Sequence, residues 1–366
     1  MRLRHHSGRV VHLSHAMNVR PARDLPAVVE QLDTCAAVRT RLGVDTLGVS
    51  LWLPPTLAAA LAIDGRSRTR LRAELRARGL EVVTLSGMPF SEGGDEDSET
   101  PDWSSPARLE YTVDLARILT DLLPEDAVRG AVTTTGLGRL AAWDERRQRA
   151  ASRVLSKLSA GLAEVAWHTG RAVRVGFQPE PGQALDASGT IIEAFARLDR
   201  ERLGVCLDLA NLACTWQQPE DYLDRLQAAG ISVIRVRIAA ALEAGDPPAA
   251  AEALRGYVDS EHRHQVTTPD GEYRDDLSAA LGDFPAGPWR VRSHVPLHQP
   301  PAEPLTATTA VWRAAIRHLM AADTPGTEYL DVEPAGSDTA VAELAYAKVE
   351  LGELGLSPPA EACAVH

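Results

Sequence analysis

Residues 173–182 read Val-Arg-Val-Gly-Phe-Gln-Pro-Glu-Pro-Gly: a short, mostly apolar run that breaks into Gln178 and Glu180 between prolines. The same grammar recurs along the chain. Leu203-Gly204-Val205-Cys206-Leu207 runs into Asp208, Trp289-Arg290-Val291 leads to Arg292 and His294, and Tyr329-Leu330-Asp331-Val332 leads to Glu333. Short runs rich in Val and Leu, flanked by Gly or Pro, suit strands buried on both faces of a parallel sheet. An α/β barrel gathers its active site from residues at the C-terminal ends of several strands. Polar residues placed repeatedly at run ends predict that mouth.

Nine strand candidates stand at 10–14, 47–53, 81–86, 127–134, 173–177, 203–207, 233–238, 289–295 and 329–332. Ala-, Leu- and Arg-rich stretches with helical spacing separate them, among them 105–123, 144–168 and 306–321. Strand then helix, repeated, predicts parallel strands with helical crossovers. Eight places for nine candidates put one of them, 289–295 or the neighbouring 262–266, in an insertion before the last barrel strand. Residues 1–355 form one (β/α)8 barrel domain in this reading, and 356–366, with Pro358-Pro359, a flexible tail. The acidic stretch 91–102 reads as a loop at the mouth or a loop without function.

The composition bounds the function. Hydrophobic residues make up 45% and charged residues 24% of the 366, ordinary for a soluble protein. Thirty-eight basic residues against fifty acidic ones leave a net charge of −12, which gives nucleic acid no electrostatic support. The four cysteines form no CxxC pair, and no run approaches the roughly 20 apolar residues of a membrane span. A cytoplasmic protein with a small-molecule partner is expected. Nucleotide chemistry finds no motif, since Gly136-Leu137-Gly138 lacks a third glycine, and there is no Gly-x-Ser-x-Gly elbow.

A divalent ion (Mn, Zn or Mg) gripping two oxygens of a polyol needs carboxylate and imidazole ligands with open positions. Glu180, Asp208, His294 and Glu333 supply those types from four segments. Gln178 and Glu180 share a face of an extended chain, as do Arg292 with His294 and Asp331 with Glu333. His12, His15 and Asn18 in the first run, Trp52 at the end of the second, and Asn211, Arg237, His264 and Arg292 complete a candidate binding set. Each has a structural alternative: a lone acid after a strand caps the following helix, and a lone His or Trp fills the core.

At these residues the chain resembles the xylose-isomerase-like barrels and, within them, the EboE family of metabolite traffic proteins encoded in secondary-metabolite clusters. The likeness runs through HLSHAMN (12–18), GFQPEPG (176–182), GVCLDLANLA (204–213), RHQV (263–266), VRSHVPLH (291–298) and LDVE (330–333). It implies a sugar or cyclitol isomerase or epimerase with Glu333 and Glu180 as proton acceptor and donor. Asp208 and His294 would hold a metal or hydroxyls, and His12 or His15 would orient the substrate. The resemblance also marks departures: Gln178 stands where a metal-binding Glu is usual, Asn211 in place of a Cys-His continuation, and Arg292 in place of a His. The same departures suit a metabolite-binding protein without catalysis, for which Arg237 and Arg292 would grip an anion.

Overall fold

The computed structural model describes residues 1–17, 22–88, 90, 101–127, 129–259, 263–334 and 338–358. Asn18, most of the acidic loop and residues 359–366 lie outside the described residues. Eight parallel strands close into a ring: β1 (Val10–Ala16), β2 (Leu47–Trp52), β3 (Leu80–Ser86), β4 (Arg129–Thr135), β5 (Ala172–Gln178), β6 (Leu203–Asp208), β7 (Val233–Ile238) and β8 (Tyr329–Val332). The ring is sealed where β8 pairs with β1, Asp331 opposite Ser14. A short strand, Arg2–Arg4, lies antiparallel on β1 outside the ring.

The helices begin and end where local chemistry dictates. Asp144 accepts the Arg147 N–H at 2.8 Å and starts Glu145–Thr169, which Gly170 ends at φ 69. Asp24 caps Leu25–Leu42 in the same way, and Gly43 closes it at φ 64. Their apolar faces bury against the outside of the ring, with Leu32 and Leu158 fully enclosed.

Between β7 and β8 the chain builds a second, five-stranded antiparallel sheet. Trp289–Val291 and Val266–Thr267 both belong to it, pairing Val291 with Val266. The ninth strand candidate, 289–295, therefore lies in an insertion before the last barrel strand, as expected, and His294 follows a strand of that insertion. Trp289 and Val291 are as buried as any barrel residue, so it is the count of eight places, not the burial pattern, that separates the two sheets. Thr306–Ala307, read as the start of a helix, is a strand of the insertion; the helix begins at Thr309. Leu356 is buried, and Ser357 exchanges backbone hydrogen bonds with Arg4, so the first residues after 355 are anchored on the body.

Inside the ring, positions that pair across strands point the same way, and their layer is polar. Such interiors are usually filled with branched apolar side chains. Here Arg235 of β7 forms an ion pair with Asp331 of β8, and its Nη1 donates to Thr133 Oγ1 at 2.6 Å. The Thr133 hydroxyl donates to Cys206 Sγ at 3.3 Å. Gly176 makes room for that sulfur, since a Cβ there would collide with it.

Candidate active site at the C-terminal mouth of the barrel

Two residues on from Arg235 and Asp331, alternation brings Arg237 on β7 and Glu333, just past the end of β8, toward the mouth. Arg237 Nη1 lies 2.6 Å from Glu333 Oε2 and 3.6 Å from Asp208 Oδ2. Asp208 ends β6 and caps the helix Leu209–Cys214, its Oδ1 accepting the Ala210 and Asn211 N–H groups at 2.9 and 3.2 Å. One oxygen of this acid caps the helix, and the other lies toward Arg237.

At the end of β5, Gln178 and, two residues past it, Glu180 each precede a proline, which confines both to extended backbone and keeps them on one face. Gln178 Nε2 donates to Glu180 Oε1 at 2.6 Å. Arg292, reaching in from the insertion, donates to the same oxygen at 3.2 Å. Glu180 is the strongest influence on the Arg292 charge, holding it above the ordinary guanidinium range against the cost of burial. Burial opposes the charge of Arg237, and Glu333, Asp208, Asp331 and Glu180 together outweigh it, so its basicity also rises. Since Glu180 and Asp208 act on both arginines, the two groups of contacts form one cluster.

The other candidates divide. Trp52 is buried at the end of β2, and Asn211 at the start of its helix donates to Pro179 O at 3.3 Å. His264 supports Arg292, its Nδ1 lying 3.1 Å from the Arg292 carbonyl oxygen. His12 is placed at the opposite end of the barrel, 3.7 Å from Glu81 Oε1 and stacked on Tyr329. Alternation told its face but not its end, and it leaves the candidate set. His294 lies against the final helix, its Nε2 3.5 Å from Glu343 Oε2. Glu343, fully buried, was not anticipated, nor was the Arg235–Asp331 pair; the signal for the latter was Arg-x-Arg inside an apolar strand.

His15 is buried under the same rim, between the fields of Glu333 and Glu343. Burial outweighs both and lowers its pKa from 6.5 to about 4. A proton therefore binds the unfolded chain but not the folded one between those values. Stability contributed by neutral His15 is complete above pH 6.5 and lost as pH falls toward 4. The expected loss is on the order of 3 kcal/mol. His15→Gln should flatten that part of the stability–pH curve in urea titrations; an unchanged curve would place His15 in solvent.

The donor set does not fit a divalent cation. The inward oxygens of Glu180, Asp208 and Glu333 are already engaged by guanidinium groups, which stay protonated and repel a positive ion. Among the described residues no three His, Cys, Asp or Glu side chains gather as a cage for a metal. A cleft of about 290 Å³ between Arg68, Asp121 and His168 lies among outer helices, and none of the mouth residues lines it.

The chain belongs to the xylose isomerase-like TIM barrels, whose family model matches residues 35–264. Among solved structures it is similar to a xylose isomerase-like TIM barrel protein from Mycobacterium smegmatis in complex with magnesium. That likeness has a TM-score of 0.57 and 15% identity, over 94% of this chain and 97% of that one. A xylose isomerase domain protein from Alicyclobacillus acidocaldarius matches at TM-score 0.51 and 14% identity, over 93% and 99%. A D-tagatose 3-epimerase-like protein matches at TM-score 0.50 and 13% identity, over 85% and 90%. At such identities the likeness establishes the fold alone. No curated protein matches the chain. No helix among the described residues is long and apolar enough to cross a membrane.

Proposed function

We propose that this barrel is an isomerase or epimerase of a sugar-like or cyclitol-like polyol, working by proton transfer between Glu180 and Glu333. The observation that carries the proposal is the union, at the ends of four elements, of two carboxylates on separate strands with two guanidinium groups. In such a reaction one carboxylate takes the proton from a carbon beside a carbonyl. The electron pair moves onto the carbonyl oxygen as an enediolate, and a carboxylic acid returns a proton to the same or the neighbouring carbon. The oxyanion formed on the way needs positive charge nearby, which the two guanidinium groups of the mouth supply. Asp208 orients Arg237, and Gln178 orients Glu180. Trp52 forms an apolar wall, Asn211 and His15 contact hydroxyls, and His264 steadies Arg292.

A second reading has a specific observation behind it. Glu180 Oε1 already accepts two hydrogen bonds and Glu333 is held by Arg237, an arrangement that suits recognition without proton transfer. On that account the chain is a metabolite-binding or traffic protein of the EboE kind. Nuclear magnetic resonance of ketoses and cyclitol ketones incubated with the protein in D₂O separates the two. Deuterium entering beside the carbonyl supports the isomerase. Binding in calorimetry with no exchange for any sugar in the panel supports the carrier.

A further inference from the structure

We propose that Arg237 and Arg292 form an oxyanion subsite, and that the ligand of this barrel is a small polyol bearing a carboxylate or phosphate group. The inference deepens the reading of the mouth as the ligand site and rests on it. In a chain of net charge −12, two arginines converging on one mouth are not part of a general basic surface. Their side chains are 20% and 31% exposed, so an incoming ligand can reach them. Arg292 spends one N–H on Glu180, and the rest of its fork makes no hydrogen bond among the described residues. The Arg237 Nε–H is buried with no acceptor among the described residues. A planar fork with spare donors matches carboxylate or phosphate in two-point geometry, which a lone hydroxyl cannot do.

The charge count decides how such a ligand enters. Glu180, Asp208 and Glu333 face Arg237 and Arg292, three negative charges against two positive, so an added anion must displace one carboxylate. Asp208 is pinned by its helix cap and Glu180 by Gln178. Glu333, with 32% of its side chain exposed, is held among the described residues by Arg237. The ligand's oxyanion replaces Glu333 on Arg237 and releases that carboxylate toward the bound polyol. Glu333 is therefore an internal competitor of the ligand, and removing its charge should tighten anion binding.

The test is calorimetry of the whole chain with inorganic phosphate, gluconate and neutral myo-inositol, at low and high salt. We expect phosphate or gluconate to bind at least about tenfold more tightly than myo-inositol, a difference of about 1.4 kcal/mol. That preference should shrink as salt rises. Gluconate above phosphate would name a sugar acid, the reverse a sugar phosphate. Arg292→Gln should weaken the anion about tenfold and Arg292→Lys less, while Glu333→Gln should strengthen it. Melting curves confirm that each variant folds. Myo-inositol bound as tightly as gluconate overturns the subsite, as does Arg292→Gln without effect, or no anion bound at millimolar concentration. Deuterium exchange on a neutral polyol without anion binding sinks this inference and leaves the isomerase standing. Anion binding without exchange does the opposite.

Discussion

Asp331→Asn is expected to destabilise the fold by about 3–5 kcal/mol, more than any other single change at the barrel centre. Asp331 is fully buried, and burial pushes its carboxyl upward while Arg235 and Arg237 pull it back. With the carboxylate removed, the Arg235 charge remains in the interior, because a guanidinium cannot shed its proton there. Thr133 offers Arg235 one hydroxyl and no charge. Urea unfolding measures the loss. The double change Arg235→Met with Asp331→Leu should recover most of it, since a buried pair replaced by apolar groups is often neutral. A single-variant cost below about 1 kcal/mol would mean that water reaches the pair.

The largest effect on activity is expected from the acids above that pair. Glu180→Gln and Glu333→Gln should each lower the deuterium-exchange rate about 10²- to 10⁴-fold, the usual contribution of a positioned acid or base. Both remove a charge while keeping shape, so binding should survive. Glu333→Gln is the sharper case, because it relieves Arg237 of a partner and leaves Glu180 in place. A variant that exchanges at the wild-type rate would move proton transfer to another group.

Much of this site was legible in the sequence because strands obey a period of two and prolines fix the residue before them. Gln178, Glu180, Asp208 and Glu333 lie at the C-terminal ends of three barrel strands, as their position after apolar runs implied. What was not legible depended on distance through space. No pattern says that the insertion swings Arg292 onto Glu180, or that Arg237 bridges Asp208 and Glu333. His12 fell on the wrong end because a barrel strand carries inward-facing residues along its whole length. The segment of His294 was expected in the insertion and lies there, but no pattern told that its ring meets Glu343 of the final helix. Glu343 is hidden in the first turn of the helix Ala340–Glu353, where an acid is unremarkable on sequence alone.

The central claim is that guanidinium groups occupy the place where a divalent ion would act in this mouth. Elemental analysis of the chain purified without chelator, followed by Mn²⁺ titration with melting as the readout, tests it directly. The account predicts far less than one equivalent of Mn, Zn or Mg and no rise in melting temperature at saturating Mn²⁺. One equivalent of a divalent metal, lost on Glu180→Gln or Glu333→Gln, would contradict it.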